Sequence, residues 1–533
     1  MKIKLIIAAA TIIAACNASA QTYTPDNYDK TDKLVQACRM ISEMYPDAID
    51  QDRIVDFAIK ALFGQLDPHT IYKAQDEPDQ SSSYKSTIPT GTGAELRYFD
   101  DTLTVVSVKP HSPAYKAGLR QGTQIDSINN EPVTHRIITD DELKAIIESN
   151  ADSMTVVMLK GKNLKKIYIP ISSTTDPSID ALYYPNDSTT YIKISKFTKA
   201  TGDEFNAALD ESGRKKIRNV IIDLRDNSGG SLLACKKICS QIIPALKFMF
   251  STANAHDGVK SEFAEAEGRL QQSRIYIIIN ENSASASEIL AACVQDYDRG
   301  VIIGRRSYGK GLTQKVTRMP DGSKITMSNG RIELPSKRTI QKPYTKGNFD
   351  EYYKEIETRR LRNEHLCADS IPTQGHQAYK TMNNHRTVYG EMGVIPDLFV
   401  PEDSTNAPRR MLDSTAHRRI EDFAYEYVNA NRYKLDIEYK NFNAFDKSFV
   451  VTDRLSEFAS GFIRNVSQIP DDIGAQTPAY NKSSRRNLVV KSYIAKAMFD
   501  NNKYWQLLNC YDSDYNAALR LVADPQAYWK LLK

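Results

Sequence analysis

Asp223-Leu224-Arg225-Asp226-Asn227-Ser228-Gly229-Gly230 follows the apolar run that begins at Val220 and leads into a helical stretch. Such a run reads as a strand buried on both faces, the signature of a parallel sheet. A second run, Ile275 to Ile279, ends the same way, in Asn280-Glu281-Asn282-Ser283-Ala284-Ser285-Ala286-Ser287-Glu288. Strands and helices alternate from about residue 175 to 400, which predicts an α/β domain. The paired glycines let backbone N–H groups face an open site, and helix starts and such turns stabilise negative charge. Taken alone, the turn could need glycine for geometry only.

The serine-rich stretch also runs from strand to helix. A serine at such an elbow is placed for nucleophilic attack, with the next residue's N–H available to an oxyanion. The plain alternative is that Ser283, Ser285 and Ser287 cap the helix. A third stretch is Ser307-Tyr308-Gly309-Lys310-Gly311-Leu312-Thr313-Gln314. Lys310 and Gln314 can share one side of an extended segment. A neutral lysine acts as a base where burial lowers its pKa. In isolation Lys310 would read as a solvated loop lysine.

Working outward, Pro320-Asp321-Gly322 marks a hairpin turn, and Thr201 with Glu204 reads as a helix cap. From about 90 to 172 short strands surround one helix. Leu103 to Val108 is a strand, and Thr139 with Glu142 forms a capping box. Ser112-Pro113-Ala114-Tyr115-Lys116-Ala117-Gly118-Leu119 is a turn and a short helix, followed by a strand at Ile125-Asp126-Ser127-Ile128-Asn129. This order resembles a PDZ domain, although Thr123 stands where that family usually has Asp. PDZ domains take a peptide C-terminus as an added strand and hold its carboxylate on backbone N–H groups. The resemblance makes Gly91-Thr92-Gly93-Ala94-Glu95-Leu96 the peptide-binding loop and strand; alternatively its glycines serve the turn alone.

Upstream, residues 30–63 read as two helices. Leu34, Ala37, Cys38 and Ile41 share one face, and Ile54, Phe57, Ala58, Ala61 and Leu62 another. Asp67-Pro68-His69 stops the second helix, and residues 75–90 read as a polar linker. Lys2 and Lys4 precede an apolar run from Leu5 to Ala15, too short for the ~20 residues of a membrane span. This reads as a secretory signal. Ala18-Ser19-Ala20 offers a cleavage site, which is slightly favoured, and Ile13-Ala14-Ala15-Cys16 offers a lipobox that would put a lipid anchor on Cys16. Both routes predict a periplasmic or cell-envelope protein. Beyond residue 401 the chain is polar and helical in period.

Composition narrows the function classes. The 533 residues are 41% hydrophobic and 26% charged, which excludes wholesale disorder, and 24 Gly with 22 Pro exclude a collagen-like chain. Seventy Lys and Arg oppose 66 Asp and Glu, and this small surplus gives no reason to expect nucleic acid as a partner. The seven cysteines are scattered, unlike a disulfide scaffold, and Cys235 and Cys239 read as buried free thiols. The eight histidines contain no H-E-x-x-H, which argues against a zinc peptidase; no metal or cofactor is expected.

The three stretches together resemble the C-terminal processing peptidases, also called tail-specific proteases. The likeness extends to "GRIELPSKRTIQK", "YGEMGVIPDLFV" and, upstream, "LDPHTIY", over roughly residues 30–400. It implies a serine peptidase in which Ser285 is the nucleophile, Lys310 the base and Gln314 the residue that orients the lysine. Gly229 or Gly230, with Ala286, would form the oxyanion hole. Ser307-Tyr308 replaces the family's commoner Thr-Phe and leaves the Ser–Lys pair intact. The implied substrates are polypeptides held by their C-termini. The expected architecture is multidomain α/β (α+β): signal 1–20, helical segment 21–89, PDZ 90–172, a crotonase-like peptidase core 173–402 and a helical region 403–533. A homo-oligomer is compatible with the sequence. A non-catalytic PDZ scaffold is the main alternative, and it has no need of Ser285 and Lys310. An acyl-CoA enzyme of crotonase fold would leave the PDZ segment and the Ser/Lys/Gln pattern unexplained.

Overall fold

A computed structural model describes residues 30–75, 77, 88–89, 91–99, 101–108, 112–135, 138–150, 152–160, 163–171, 178–212, 217–265, 267–402, 414–452, 455–457 and 482–533. The expected signal, Cys16 and most of the 75–90 linker lie outside these residues. Two compact units result. One comprises residues 1–77, 316–326 and 346–348, and the other the remainder.

The smaller unit holds helices α1 (Lys30–Met44) and α2 (Gln51–Phe63) and strand β1 (Ile71–Lys73). The Asp50 carboxylate accepts from Arg53 N–H and caps α2. Past the helix, the Asp67 carboxylate accepts from His69 and Thr70 N–H, which fixes the Asp67-Pro68-His69 stop. The predicted apolar faces form but are not covered: Leu34, Ile41 and Leu62 are exposed, and Phe57 is 74% exposed. Among the described residues nothing covers both stripes.

In the larger unit the PDZ segment contains β2 (Ile88–Pro89), β3 (Ala94–Phe99), β4 (Thr102–Val108), α3 (Pro113–Lys116), β5 (Gln124–Ile128), β6 (Glu131–Pro132), α4 (Asp140–Glu148), β7 (Ser153–Lys160) and β8 (Asn163–Pro170). Its sheet runs β2-β3-β4-β5-β7-β8, with β6 on β5. The Thr139–Glu142 capping box forms, and Leu96, Leu103, Ile125 and Val156 fill the core.

The α/β core begins with β9 (Ile179–Asn186), β10 (Thr189–Ile194), α5 (Thr201–Ser212), β11 (Asn219–Asp223), α6 (Leu232–Ile242), β12 (Phe248–Asn254), β13 (Gly258–Phe263), β14 (Arg274–Ile279), α7 (Ala286–Asp296) and β15 (Gly300–Gly304). It continues through β16 (Leu312–Arg318), β17 (Lys324–Glu333), α8 (Asp350–Leu361), the β18–β19 hairpin (Ala378–Lys380, Thr387–Tyr389) and β20 (Leu398–Phe399). The central sheet runs β20-β15-β14-β11-β10-β9 and is parallel except at β9. Asp223 pairs with Ile278, and Ile279 with Gly304, so the carboxyl ends of β11, β14 and β15 lie side by side. Open α/β sheets bind ligands at this end of their strands.

The Thr201–Glu204 cap does not form as read. The Glu204 carboxylate instead accepts from Ser178 and Ile179 N–H, and Thr201 Oγ1 accepts from Thr198 N–H. Tertiary contact to β9 outcompetes the local box. The chain ends in α9 (Ser414–Glu438), α10 (Phe442–Ser448), α11 (Lys482–Met498), α12 (Asn501–Asn509), α13 (Ser513–Ala523) and α14 (Pro525–Leu531), in keeping with the helical pattern. The Tyr425 hydroxyl on α9 donates to Val106 O in the PDZ sheet, and Phe99 joins the same apolar cluster. Tyr515, Leu521 and Tyr528 pack on Tyr191, Ile221 and Tyr276 of the central sheet. No described helix is long and apolar enough to cross a membrane.

Candidate active site

The three motif loops leave adjacent strand ends and are stitched together by hydrogen bonds. After β11, Asp226 adopts φ +61°, a left-handed conformation that is uncommon away from glycine. Its carboxylate accepts from the side-chain amides of Asn280 and Asn282, and its N–H donates to Asn280 Oδ1. Asn227 Nδ2 donates to Ile194 O, and Gly229 N–H donates to Asn227 Oδ1 at 2.9 Å. Asn227 O accepts from Ala284 N–H and from the Ser287 hydroxyl.

The three serines divide cleanly. Ser283 and Ser287 are fully buried, and their hydroxyls donate to Leu224 O and Asn227 O at 2.9 Å each. They tie the serine loop to the glycine turn. Ser285 is half-buried, at φ +56° and ψ −116°, immediately before α7. A non-glycine residue in this region stores strain that the surrounding contacts must hold, a state that clusters at active sites.

Glu288 supplies part of that hold. It lies one turn into α7 and is fully buried. One oxygen, Oε2, accepts from Ser285 N–H at 2.9 Å and from Lys310 N–H at 2.8 Å. The other, Oε1, accepts from Gly309 N–H at 2.6 Å and from the Ser307 hydroxyl. Burial pushes the Glu288 pKa up, and these four donors only partly offset it. The sequence signal for Glu288 is its spacing of three after Ser285, that of a capping box; the motif resemblance assigns it no role. Gly393 closes over the cluster: a Cβ there would meet Ser307 Oγ at 2.7 Å and Glu288 Oε1 at 3.0 Å. This gives the Gly-Glu-Met-Gly stretch a steric reason.

The lysine loop is fixed on its other side as well. Arg359 on α8 donates to the carbonyls of Ser307 and Tyr308, and Gly311 N–H donates to Gln341 Oε1. Tyr308 N–H donates to Ser283 O. Lys310 is half-buried, and its Nζ donates to Gln314 Oε1 at 2.6 Å, so the predicted pair forms. Gly229 backs directly on the serine, since a Cβ there would lie 2.7 Å from Ser285 Cβ and 2.8 Å from Ala286 N. Gly230, at φ +139°, leaves a Cβ no room against Phe197 O. Ser285, Ala286, Gly229, Gly230, Lys310 and Gln314 thus converge in one site.

Beside it lies a cleft of about 460 Å³, whose wall includes Gln314, Leu232 and Leu233. Its floor is the β12–β13 hairpin, with Phe250, Thr252 and Asn254 alternating along one strand and Gly258, Lys260 and Glu262 along the other. β13 is an end strand of its sheet. Among the described residues no group of three or more His, Cys, Asp or Glu could hold a metal ion. Cys235, Cys239 and Cys293 are buried free thiols.

The PDZ loop is built differently. Gly91 and Gly93 take φ +67° and +81°, and Thr92 O accepts from Ala114 N–H. Ala94 and Leu96 are buried in the PDZ core and Glu95 is half-buried. Ile88 and Pro89 pair antiparallel with Leu96 and Glu95, so the chain's own β2 occupies the β3 edge at these two residues.

The chain is similar to several known proteins. Residues 188–349 match the model of peptidase family S41, and residues 104–159 that of a PDZ domain. The carboxy-terminal processing protease CtpB of Bacillus subtilis (strain 168) is 29% identical over 336 residues, covering 62% of this chain and 69% of the relative. CtpA of the same organism is 26% identical over 362 residues, 66% of this chain and 76% of the relative. A solved photosystem II D1 C-terminal processing protease aligns with 70% of this chain and 94% of its own at 18% identity and a TM-score of 0.36.

Proposed function

We propose, from the match of residues 188–349 to the model of peptidase family S41 and of residues 104–159 to that of a PDZ domain, that the chain is an exported serine endopeptidase that recognises polypeptide C-termini and cleaves through a Ser285–Lys310–Gln314 acyl-enzyme mechanism. The observation that carries this reading is the division among the serines: Ser283 and Ser287 are committed to backbone carbonyls, while Ser285 sits half-exposed and strained beside the glycine turn. Export rests on the basic and apolar start of the chain alone.

In the proposed reaction a polypeptide lies along the cleft, where backbone pairing asks little of its sequence. Neutral Lys310 Nζ takes the proton from Ser285 Oγ. One N–H of the amine is committed to Gln314 Oε1, which restricts the orientation of the amine. The serine oxygen attacks the carbonyl carbon. Gly229 N–H is already donated to Asn227, so Gly230 N–H, with Ala286 N–H, is the donor assigned to the oxyanion. The protonated lysine then gives its proton to the leaving amine, and water hydrolyses the acyl-enzyme with Lys310 again as base.

Capture of a substrate tail by β3 requires Ile88 and Pro89 to leave the edge or the tail to pair elsewhere along it. The PDZ domain therefore has a built-in competitor for its ligand. The test of the peptidase reading is cleavage of an unfolded polypeptide. Ser285→Ala, which removes one oxygen, should abolish cleavage in a folded protein, and cleavage at the wild-type rate would sink the assignment.

A further inference from the structure

Helix α13 lies beyond the residues matched by the S41 model, yet its first turn reaches the motif loops. Arg225, the third residue of the Asp223–Gly230 stretch, is almost fully buried. Its Nη1 donates to both Asp512 oxygens at 2.7 and 2.6 Å and to Asp514 Oδ2 at 3.1 Å. Its Nε and Nη2 donate to the two oxygens of Asp223. Arg305, five residues before Lys310, donates through Nη1 to Asp514 Oδ1 at 3.2 Å and through Nε to Glu281 at 3.3 Å. Glu281 belongs to the serine loop. Asp514 thus joins, directly or through Arg305, the glycine turn, the serine loop and the lysine loop.

General helix electrostatics would not place these groups together. The N-terminal end of a helix carries partial positive charge and repels guanidinium groups. Carboxylates at Asp512 and Asp514 reverse that sign at the contact. Asp512 Oδ1 also accepts from Tyr515 N–H, so the same group caps the helix. Docking of the tail has a separate source, the apolar packing of Tyr515, Leu521 and Tyr528 on the central sheet. At the opposite end of the strands, the Tyr528 hydroxyl accepts from Ile275 N–H and donates to Ile275 O. Tail docking and loop fixing can therefore be disturbed independently.

We propose that α13 is a positioning element of the peptidase site, in which Asp512 and Asp514 hold Arg225 and Arg305 so that the oxyanion turn and the lysine loop keep their mutual register. This rests on the Ser285–Lys310 reading. A register shift of the order of 1 Å at reacting groups costs about 100-fold in rate. Substrate binding in the cleft of β12 and β13 does not involve either aspartate, so the loss falls on kcat.

The experiment compares full-length wild type, Asp514→Asn, Asp512→Asn and Tyr528→Phe on one peptide substrate, with thermal unfolding of each. Asp514→Asn should lower kcat roughly 10- to 100-fold with KM within about twofold, and Asp512→Asn should do the same more mildly, since Arg225 keeps Asp514. Tyr528→Phe should lower the unfolding midpoint and leave kcat per folded molecule unchanged. Wild-type kcat in folded Asp514→Asn overturns the proposal. So does an equal fall in kcat for Tyr528→Phe at a similar loss of stability, because the effect would then be one of docking alone. Ser285→Ala in the same assay separates the two levels: undiminished cleavage by that variant defeats the peptidase reading and the clamp with it, whereas the Asp514 results can defeat the clamp alone.

Discussion

Two glycine-bearing turns in this molecule meet opposite requirements. At Gly229 and Gly230, added Cβ atoms would lie 2.7 Å from Ser285 Cβ and 2.0 Å from Phe197 O, so the turn is pressed against the groups it serves. At Gly91 and Gly93 the glycines supply left-handed turns, and the adjoining strand edge is taken by Ile88 and Pro89 of the same chain. The first turn is held in one arrangement by Asn227, Asn280 and their neighbours and has a partly open serine beside it. The second sits next to a pairing that must yield before a ligand strand can replace it. A peptidase site gains from a fixed oxyanion geometry, whereas a recognition edge can be regulated by what occupies it.

The largest effect should come from closing the first turn. Gly229→Ala places a methyl group between the turn and Ser285 and strains a residue at φ +98°. We expect kcat to fall by about 10²–10³, the cost of displacing an oxyanion donor such as Ala286 N–H, which the added Cβ would meet at 2.8 Å, and steady-state kinetics on a peptide would show it. Retention of wild-type kcat would mean that the turn does not face the reacting carbonyl.

Glu288→Gln comes next. An amide cannot accept at both ends, so its Nε2 must face donors on one side, either the N–H groups of Ser285 and Lys310 or the Gly309 N–H and the Ser307 hydroxyl. The expected loss is about 100-fold in kcat, with a lower unfolding midpoint by calorimetry. A variant with full activity would show that the serine and lysine loops need no shared carboxylate.

The second turn predicts a smaller effect, and on KM. If β3 captures a terminal carboxylate on the N–H groups of the Gly91–Gly93 loop, amidating a substrate's C-terminus removes a charge-assisted hydrogen bond of ~1.5–3 kcal/mol. KM should rise about tenfold or more while kcat holds. Equal KM for free and amidated peptides would remove the PDZ loop from recognition. Smallest for activity is Ser283→Ala. It removes the acceptor of Asn280 N–H, while Leu224 O keeps Asn227 N–H, and should cost ~1–3 kcal/mol of stability, yet substantial cleavage should remain, as measured on protein folded below its midpoint.

The difference between the two turns also marks what could be read in the sequence. Each of the three motif stretches admits a plain structural reading by itself, and Ser285, Lys310, Gln314 and the paired glycines stand out only through the ordered resemblance of all three to one family. Lys310 and Gln314 meet through a spacing of four, and Glu288 was recoverable from a capping-box spacing. The PDZ phrase located its loop, but short-range pattern holds no information on the β2 pairing. Nor could it show the contact of Arg225 with Asp512 and Asp514, almost 290 positions apart in the chain, because an ion pair between distant segments leaves no periodicity. Thr201 and Glu204 had the right spacing for a local cap, and Ser178 outcompeted it in three dimensions. The stripes of α1 and α2 were correctly periodic, yet periodicity does not say that a partner layer exists.

The central claim is that Lys310, held by Gln314, is the proton acceptor for Ser285. The most direct measurement is peptide cleavage against pH for wild type, Gln314→Ala and Lys310→Arg. Wild-type activity should climb with pH as the amine loses its proton, because only the neutral form accepts one. Gln314→Ala should keep that profile with a rate reduced about tenfold, since it disturbs orientation and leaves the acceptor in place. Lys310→Arg should be nearly inactive at every pH, since a guanidinium stays protonated while keeping the charge and much of the length. Wild-type-like cleavage by Lys310→Arg would contradict the account and return the search to another base.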